Sequence, residues 1–308
     1  MNDAPMRADP STSRVGRIWL DLEPRRGTLF LINIGVPILI GVARGEGRGA
    51  LIGGITGLLL SLADLEGPLA RRLRLTLMVA AGIAVGGLLG IWLKSFEAIF
   101  WIAFFLAVFA AGFLNQVGKG PHFSLRFGGS FHQRTSPLRR TPRRGFIRSM
   151  GLLAYALAAT IGLWIGIESA SIRAVWISAI TLVLMVPDVR VTYSRVFGGM
   201  IGTVLAVGVV SLITSLGQST VLFCAAIFLA AFLLPSQITR FWIFSGMIAV
   251  IVLLAWDLAS ADPALEPALL WERLADMLVG AMLVLVLTAL VFPDVTKSLL
   301  VARLRKAE

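Results

Sequence analysis

The 308 residues hold one cysteine, two tyrosines and two histidines, and acids are outnumbered by bases, 17 to 28. A single thiol, Cys224, excludes an intramolecular disulfide and any cysteine-built metal centre. His122 and His132 share one polar segment with no acid near them, so they read as solvated loop residues rather than metal ligands. Charged residues make up only 15% of the chain against 57% hydrophobic, and the mean hydropathy is +0.86. That leaves too little polar surface for a water-soluble domain of this length. The patterns of common active sites, HExxH, GxSxG and paired carboxylates, are absent. The stretch GFLNQVGKG (112–120) approximates a phosphate loop, but its glycine spacing is wrong and Gly120 stands where Ser or Thr belongs. The expectation is a protein that is no enzyme and takes no cofactor and no metal.

What the chain has instead is ten apolar segments: 28–42, 50–63, 75–93, 99–114, 151–167, 174–186, 196–216, 219–234, 241–256 and 274–292. Crossing about 30 Å of hydrocarbon takes about 20 apolar residues, and orientation follows the Lys and Arg of the short loops. Of the 28 basic residues, 23 fall in alternate connections, leaving only Arg44, Arg48, Lys94, Arg173 and Arg273 for the other side. The fold class expected is all-α: a polytopic transmembrane helical bundle of about ten spans, multi-pass in the cell inner (plasma) membrane, with both termini cytoplasmic. The net charge of +11 then belongs to loops that meet anionic headgroups of the lipid bilayer, not to a nucleic-acid surface. Trp92, Trp101, Trp164, Trp176, Trp256 and Trp271 all fall near the outer interface of this topology, where an indole is best accommodated. No secretory signal is visible in the polar first 27 residues, though VGRIWLDL (15–22) could lie as a short amphipathic turn on the inner surface.

Five regions follow: a cytoplasmic segment 1–27, a first membrane repeat of four spans 28–114, a basic linker 115–148, a second membrane repeat of six spans 149–293, and a basic tail 294–308. The linker is rich in Arg, Pro and Ser and reads as a flexible cytoplasmic segment. Similarity between the halves supports an internal parallel repeat. Adding 125 carries Arg48 to Arg173 and Thr56 to Thr181, and adding 124 carries Asp64 to Asp188 and Arg71 to Arg195. An even number of spans separates the copies, so they share orientation.

The second span of each repeat is short, covering only about 20 Å at 1.5 Å per residue. Paired short segments in corresponding positions point to a transporter's substrate site, or they are short helices met by locally thinned lipid. Small residues at Gly82, Gly86 and Gly90, at Gly198 and Gly202, and at Gly280 mark helix-packing faces. Few ionisable residues approach the membrane interior. Arg195 and Arg273 each stand seven residues before a glycine, Gly202 and Gly280, about two turns along one face. A guanidinium lining a cavity suits a carboxylate through bidentate hydrogen bonds, whereas one at the interface merely snorkels. Asp276, three residues after Arg273, is either a site residue or its salt-bridge partner.

At RAVWISAITLVLMVPDVRVTYSRVFGGMIGT (173–203) the chain resembles the fusaric acid resistance family of membrane proteins. The elements of likeness are Trp176, Thr181, Pro187, Asp188, Arg195, Gly202 and Thr203. The closing ERLADMLVGAMLVLVLTALVFP (272–293), with Arg273 and Gly280, is similar to that family's final span. The resemblance implies efflux of aromatic or other organic carboxylates, or an organic-anion channel, through a relation to aluminium-activated malate transporters, which are dimeric. The substrate-binding candidates are Thr56, Trp176, Thr181, Arg195, Arg273 and Asp276. The expected partners are the bilayer, a small organic anion and a second copy in a homodimer. The alternative is a non-transporting membrane scaffold or assembly subunit, which the packing glycines alone would also satisfy.

Overall fold

The computed structural model describes residues 24–62, 77–78, 80–82, 84–86, 88–90, 92, 95–117, 142–169, 175–186, 189–217, 219–259, 266–294 and 296. The amphipathic turn at 15–22, Asp64, Arg71, the histidines of the linker, Arg173, Pro187, Asp188 and the last residues of the tail lie outside these.

Among the described residues every element is helical. They are α1 Pro24–Ala43, α2 Gly47–Leu62, α4 Glu97–Val117, α5 Pro142–Glu168, α6 Val175–Leu184, α7 Val189–Ser215, α8 Thr220–Leu233 with a 3-10 turn at Leu234–Gln237, α9 Phe241–Ala259 and α10 Glu266–Val291. Between α2 and α4 runs a shorter apolar helix, α3, Ala80–Gly90, described at 80–82, 84–86 and 88–90. Every apolar segment of the sequence therefore meets a helix. Among the described residues six helices are long and apolar enough to cross a membrane: Pro24–Ala43, Met150–Glu168, Val189–Ser215, Thr220–Gln237, Phe241–Ala259 and Leu270–Val291. The outward faces of these helices are as apolar as the inward ones, with Ile32, Leu39, Val204, Leu212, Leu229 and Leu290 exposed. In lipid such a surface is solvated, and helices associate through close packing of small residues.

The α1–α2 hairpin shows the rule. Glu46 donates its N–H to the Gly41 carbonyl at 2.8 Å and Gly45 donates to Val42 at 3.0 Å. That pair of bonds closes α1, and it needs a left-handed residue, supplied by Gly45 at φ 70°. Pro37, inside α1, has no N–H and so deprives the Asn33 carbonyl of its helical donor. Gly57 of α2 packs its backbone directly over that carbonyl, and a Cβ added at Gly53 would stand 2.7 Å from Pro37 Cβ. Asn33 Nδ2 donates to Ser61 Oγ at 3.1 Å and pins the far end of the pair.

Contact pairs give the relative directions of the helices. Gly27 meets Phe232 and Gly35 meets Phe228, so α1 and α8 are antiparallel. Gly198 meets Phe241 and Trp242 while Gly202 meets Gly246, so α7 and α9 run parallel. Gly280 of α10 packs on Ile177 and Ile180 while Arg273 stacks on Trp176, so α6 and α10 also run parallel.

Two hydrophobic cores result. One joins Phe30, Ile34 and Ile38 of α1 and Leu51 and Leu58 of α2 to Phe223 and Ile227 of α8 and Phe244, Ile251 and Leu254 of α9. Helices from both sides of the 115–148 segment therefore share a core. The other joins Ala154 and Ala158 of α5, Ile180 and Leu184 of α6, and Met277, Ala281 and Val284 of α10. Helix α7 enters both, through Val210 and Val196 respectively.

The glycine faces fare differently. Gly198, Gly202 and Gly280 sit against neighbouring helices, as their spacing predicts. Around Gly82, Gly86 and Gly90 a built Cβ meets no described atom within 4 Å. Small residues permit a close approach without supplying the helix that makes it.

Candidate functional site

The polar residues buried in the second core gather around α6. It is ten residues long, about 15 Å, half the thickness of the hydrocarbon. Its chain beyond Val186 continues into Pro187, which cannot extend an α-helical ladder. A helix ending at membrane depth must find partners for its terminal carbonyls within the protein.

At the C-terminal end, α7 supplies them. Arg195 is 7% exposed, and its Nη1 donates to the Val183 carbonyl at 3.1 Å. One turn earlier, the Thr192 hydroxyl accepts from the Val186 N–H at 3.1 Å and donates to the Val186 carbonyl at 3.0 Å. The Phe241 ring, opening α9, lies under the Arg195 guanidinium at 5.4 Å. Within α6, Thr181 is fully buried and donates to the Ser178 carbonyl at 2.7 Å, its hydroxyl thereby occupied by its own helix.

At the N-terminal end, α10 lies alongside. Gly280 lets it approach closely enough that an added Cβ would stand 2.7 Å from Ile180 Cγ2. Arg273, two turns earlier on the same face, is 6% exposed and sits 4.6 Å above the Trp176 ring. Asp276, one turn on from Arg273, is 5% exposed. A buried carboxylate one turn from a buried guanidinium, over an indole face, is a sheltered polar spot in an apolar bundle.

Trp176, Thr181, Arg195, Arg273 and Asp276 thus belong to one neighbourhood, but they do not converge on a point. Trp176 and Val183 are seven residues apart, so the arginines stand at opposite ends of α6, separated by about 10 Å along its axis. Thr56 stands apart from all of them: it is half-buried on α2, which packs on α1 and α9. Thr192 and Phe241 were not singled out from sequence. Thr192 carried a signal, three residues before Arg195 and so on the same face; Phe241, from a distant helix, carried none. Thr203, beside Gly202, is 1% exposed, and its hydroxyl has no hydrogen-bond partner among the described residues.

A bundle of long apolar helices with a few polar side chains buried around a short one defines a multi-pass helical membrane protein. Residues 153–287, from within α5 to within α10, match the family described as fusaric acid resistance protein-like. The matched region contains both arginines, Trp176, Thr181, Asp276 and the packing glycines 198, 202 and 280. No curated protein and no solved structure matches the chain.

Proposed function

We propose that this protein moves organic anions, aromatic carboxylates foremost, across the membrane, as an exporter or as a channel. The observation that carries the reading is Arg273, buried in the family region with its guanidinium over the face of Trp176. A carboxylate suits the planar donors of the guanidinium, and an aromatic ring suits the adjoining indole. Asp276, one turn away, supplies a negative group that holds the site near neutrality between substrates. Thr181 lines the same helix, while Thr56, its counterpart in the first repeat, has no comparable surroundings and is the weakest member of the set.

The bundle is further read as ten crossings in alternating directions, formed by two parallel repeats. The antiparallel pairs α1–α2 and α1–α8, and the parallel pairs α7–α9 and α6–α10, support this alternation. The end at which α1, α7 and α9 begin carries Arg25, Arg26, Arg190 and Arg240, while at the end where they finish Arg44, Arg48 and Arg273 are offset by Glu46, Asp257 and Glu272. By the bias of basic residues the first end faces the cytoplasm, with both termini there and the inner membrane around it. A homodimer is the assembly we assign.

The test is flux. Protein reconstituted into liposomes should carry radiolabelled aromatic carboxylates down a gradient, and an Arg273→Gln variant should carry far less. Absence of flux for every carboxylate, in either direction, favours the scaffold alternative.

A further inference from the structure

We propose that Arg195 is a positioning residue: its guanidinium takes the place of the backbone N–H that Pro187 cannot offer to Val183, and so moors the C-terminal end of α6 to α7 and α9. In an α-helix the carbonyl of one residue accepts from the N–H four residues on. For Val183 that residue is 187, a proline, which has no N–H. The sequence therefore orphans the Val183 carbonyl, and at membrane depth no water replaces the missing donor. Arg195 Nη1 stands 3.1 Å from that oxygen.

Three further features fit a mooring. The C-terminus of a helix carries partial negative charge, which a cation stabilises. Thr192, on the same face of α7, holds both backbone groups of Val186, the next described link toward the proline. Phe241 lies under the guanidinium and ties the start of α9 to the same place. The two arginines at the ends of α6 thus divide the work. Arg195 holds the C-terminal end of the helix, and Arg273, over the Trp176 face at the N-terminal end, is the one assigned to the substrate.

The proposal rests on the transport reading only for its flux measurement, so a second readout is local. In a Cys224→Ser background, the thiol introduced by Met185→Cys is buried in the wild-type arrangement, Met185 being 5% exposed. Arg195→Met should raise its rate of reaction with N-ethylmaleimide about 10- to 150-fold, the range for losing one charge-assisted hydrogen bond from a local opening equilibrium. Pro187→Ala gives position 187 an N–H and so lets α6 run on to serve the Val183 carbonyl from within the helix, and the double variant should return toward the slow rate. In proteoliposomes Arg195→Met should lower the maximal flux with KM unchanged, and Arg195→Lys, which still offers a cationic donor, should recover most of it. Unchanged thiol reactivity in Arg195→Met, or no rescue by Pro187→Ala, overturns the mooring. A raised KM that lysine does not restore overturns it too, because it makes Arg195 a substrate contact. If Arg195→Met fails to accumulate in the membrane, recovery of accumulation by Pro187→Ala supports the proposal and its failure overturns it. Wild-type protein without flux defeats the transport reading alone, and thiol reactivity still decides this one.

Discussion

Each half of the chain contains a long helix paired with a short one, and in each a proline takes a donor away from a helical carbonyl. In the α1–α2 pair the proline is Pro37 and the stranded carbonyl is that of Asn33, covered by the bare backbone of Gly57. Around the α5–α6 pair the proline is Pro187 and the carbonyl is that of Val183, met by the guanidinium of Arg195. The first solution is steric and makes a tight hairpin with no charge at the contact, zipped at Gly41, Gly53, Gly54 and Gly57. The second is electrostatic, and it requires charge inside the bundle, held by side chains from two other helices. Only the second places a cation beside a short helix, and only there do Arg273, Trp176 and Asp276 collect. Two pairs of helices thus meet the same backbone problem differently: one closes it with packing, the other with a buried charge.

This contrast can be broken most directly at Arg273. Arg273→Gln should weaken anion transport about 10- to 150-fold in apparent affinity, the effect of one lost charge-assisted contact, while Thr56→Val on the other hairpin should leave it near wild type. Equal losses at the two positions would erase the distinction between the hairpins.

Stability should divide the other way. A methyl group at Gly57 lands on the Asn33 carbonyl, so Gly57→Ala should cost about 1–3 kcal/mol by overpacking. At Gly162, the close approach of α5 to α6, an added Cβ meets Ser178 N at 3.1 Å and Ile177 Cγ2 at 3.2 Å, so a small shift relieves it. Gly162→Ala should therefore give the smaller drop in Tm in detergent. A larger drop at Gly162 than at Gly57 would mean that the second hairpin is the tighter one.

A smaller effect is expected at Gly45, whose φ of 70° closes α1 with nothing within 4 Å to obstruct a side chain. Gly45→Ala should cost about 1–2 kcal/mol, from backbone conformation alone, visible as a modest fall in Tm with transport intact. The smallest effect belongs to Gly86, where a Cβ meets no described atom within 4 Å. Gly86→Ala should leave the thermal stability of a single chain unchanged or slightly raised, since alanine favours a helix over glycine by up to about 1 kcal/mol. A marked loss there, accompanied by a change in oligomeric mass, would locate a contact between copies of the chain on α3.

Helicity and membrane insertion were legible in composition alone, because length and continuous apolarity act on each segment separately. It located the ten apolar segments, marked the α2 and α6 segments as short, and singled out Arg195 and Arg273 as charges too deep to ignore. The glycine spacing at 198, 202 and 280 announced helix contacts that the structure contains. The same kind of spacing at 82, 86 and 90 announced a contact that no described residue makes, since a stripe records only one of the two surfaces. Which segments meet, by contrast, was visible only in the packed bundle. The pairing of α1 and α2 with α8 and α9 across the basic linker left no trace in local pattern. Nor did the bracketing of α6 between two arginines about 10 Å apart. The reason is physical: the bilayer acts on each helix separately through its own composition, whereas the choice of neighbour depends on close packing and on hydrogen bonds between surfaces far apart in the chain.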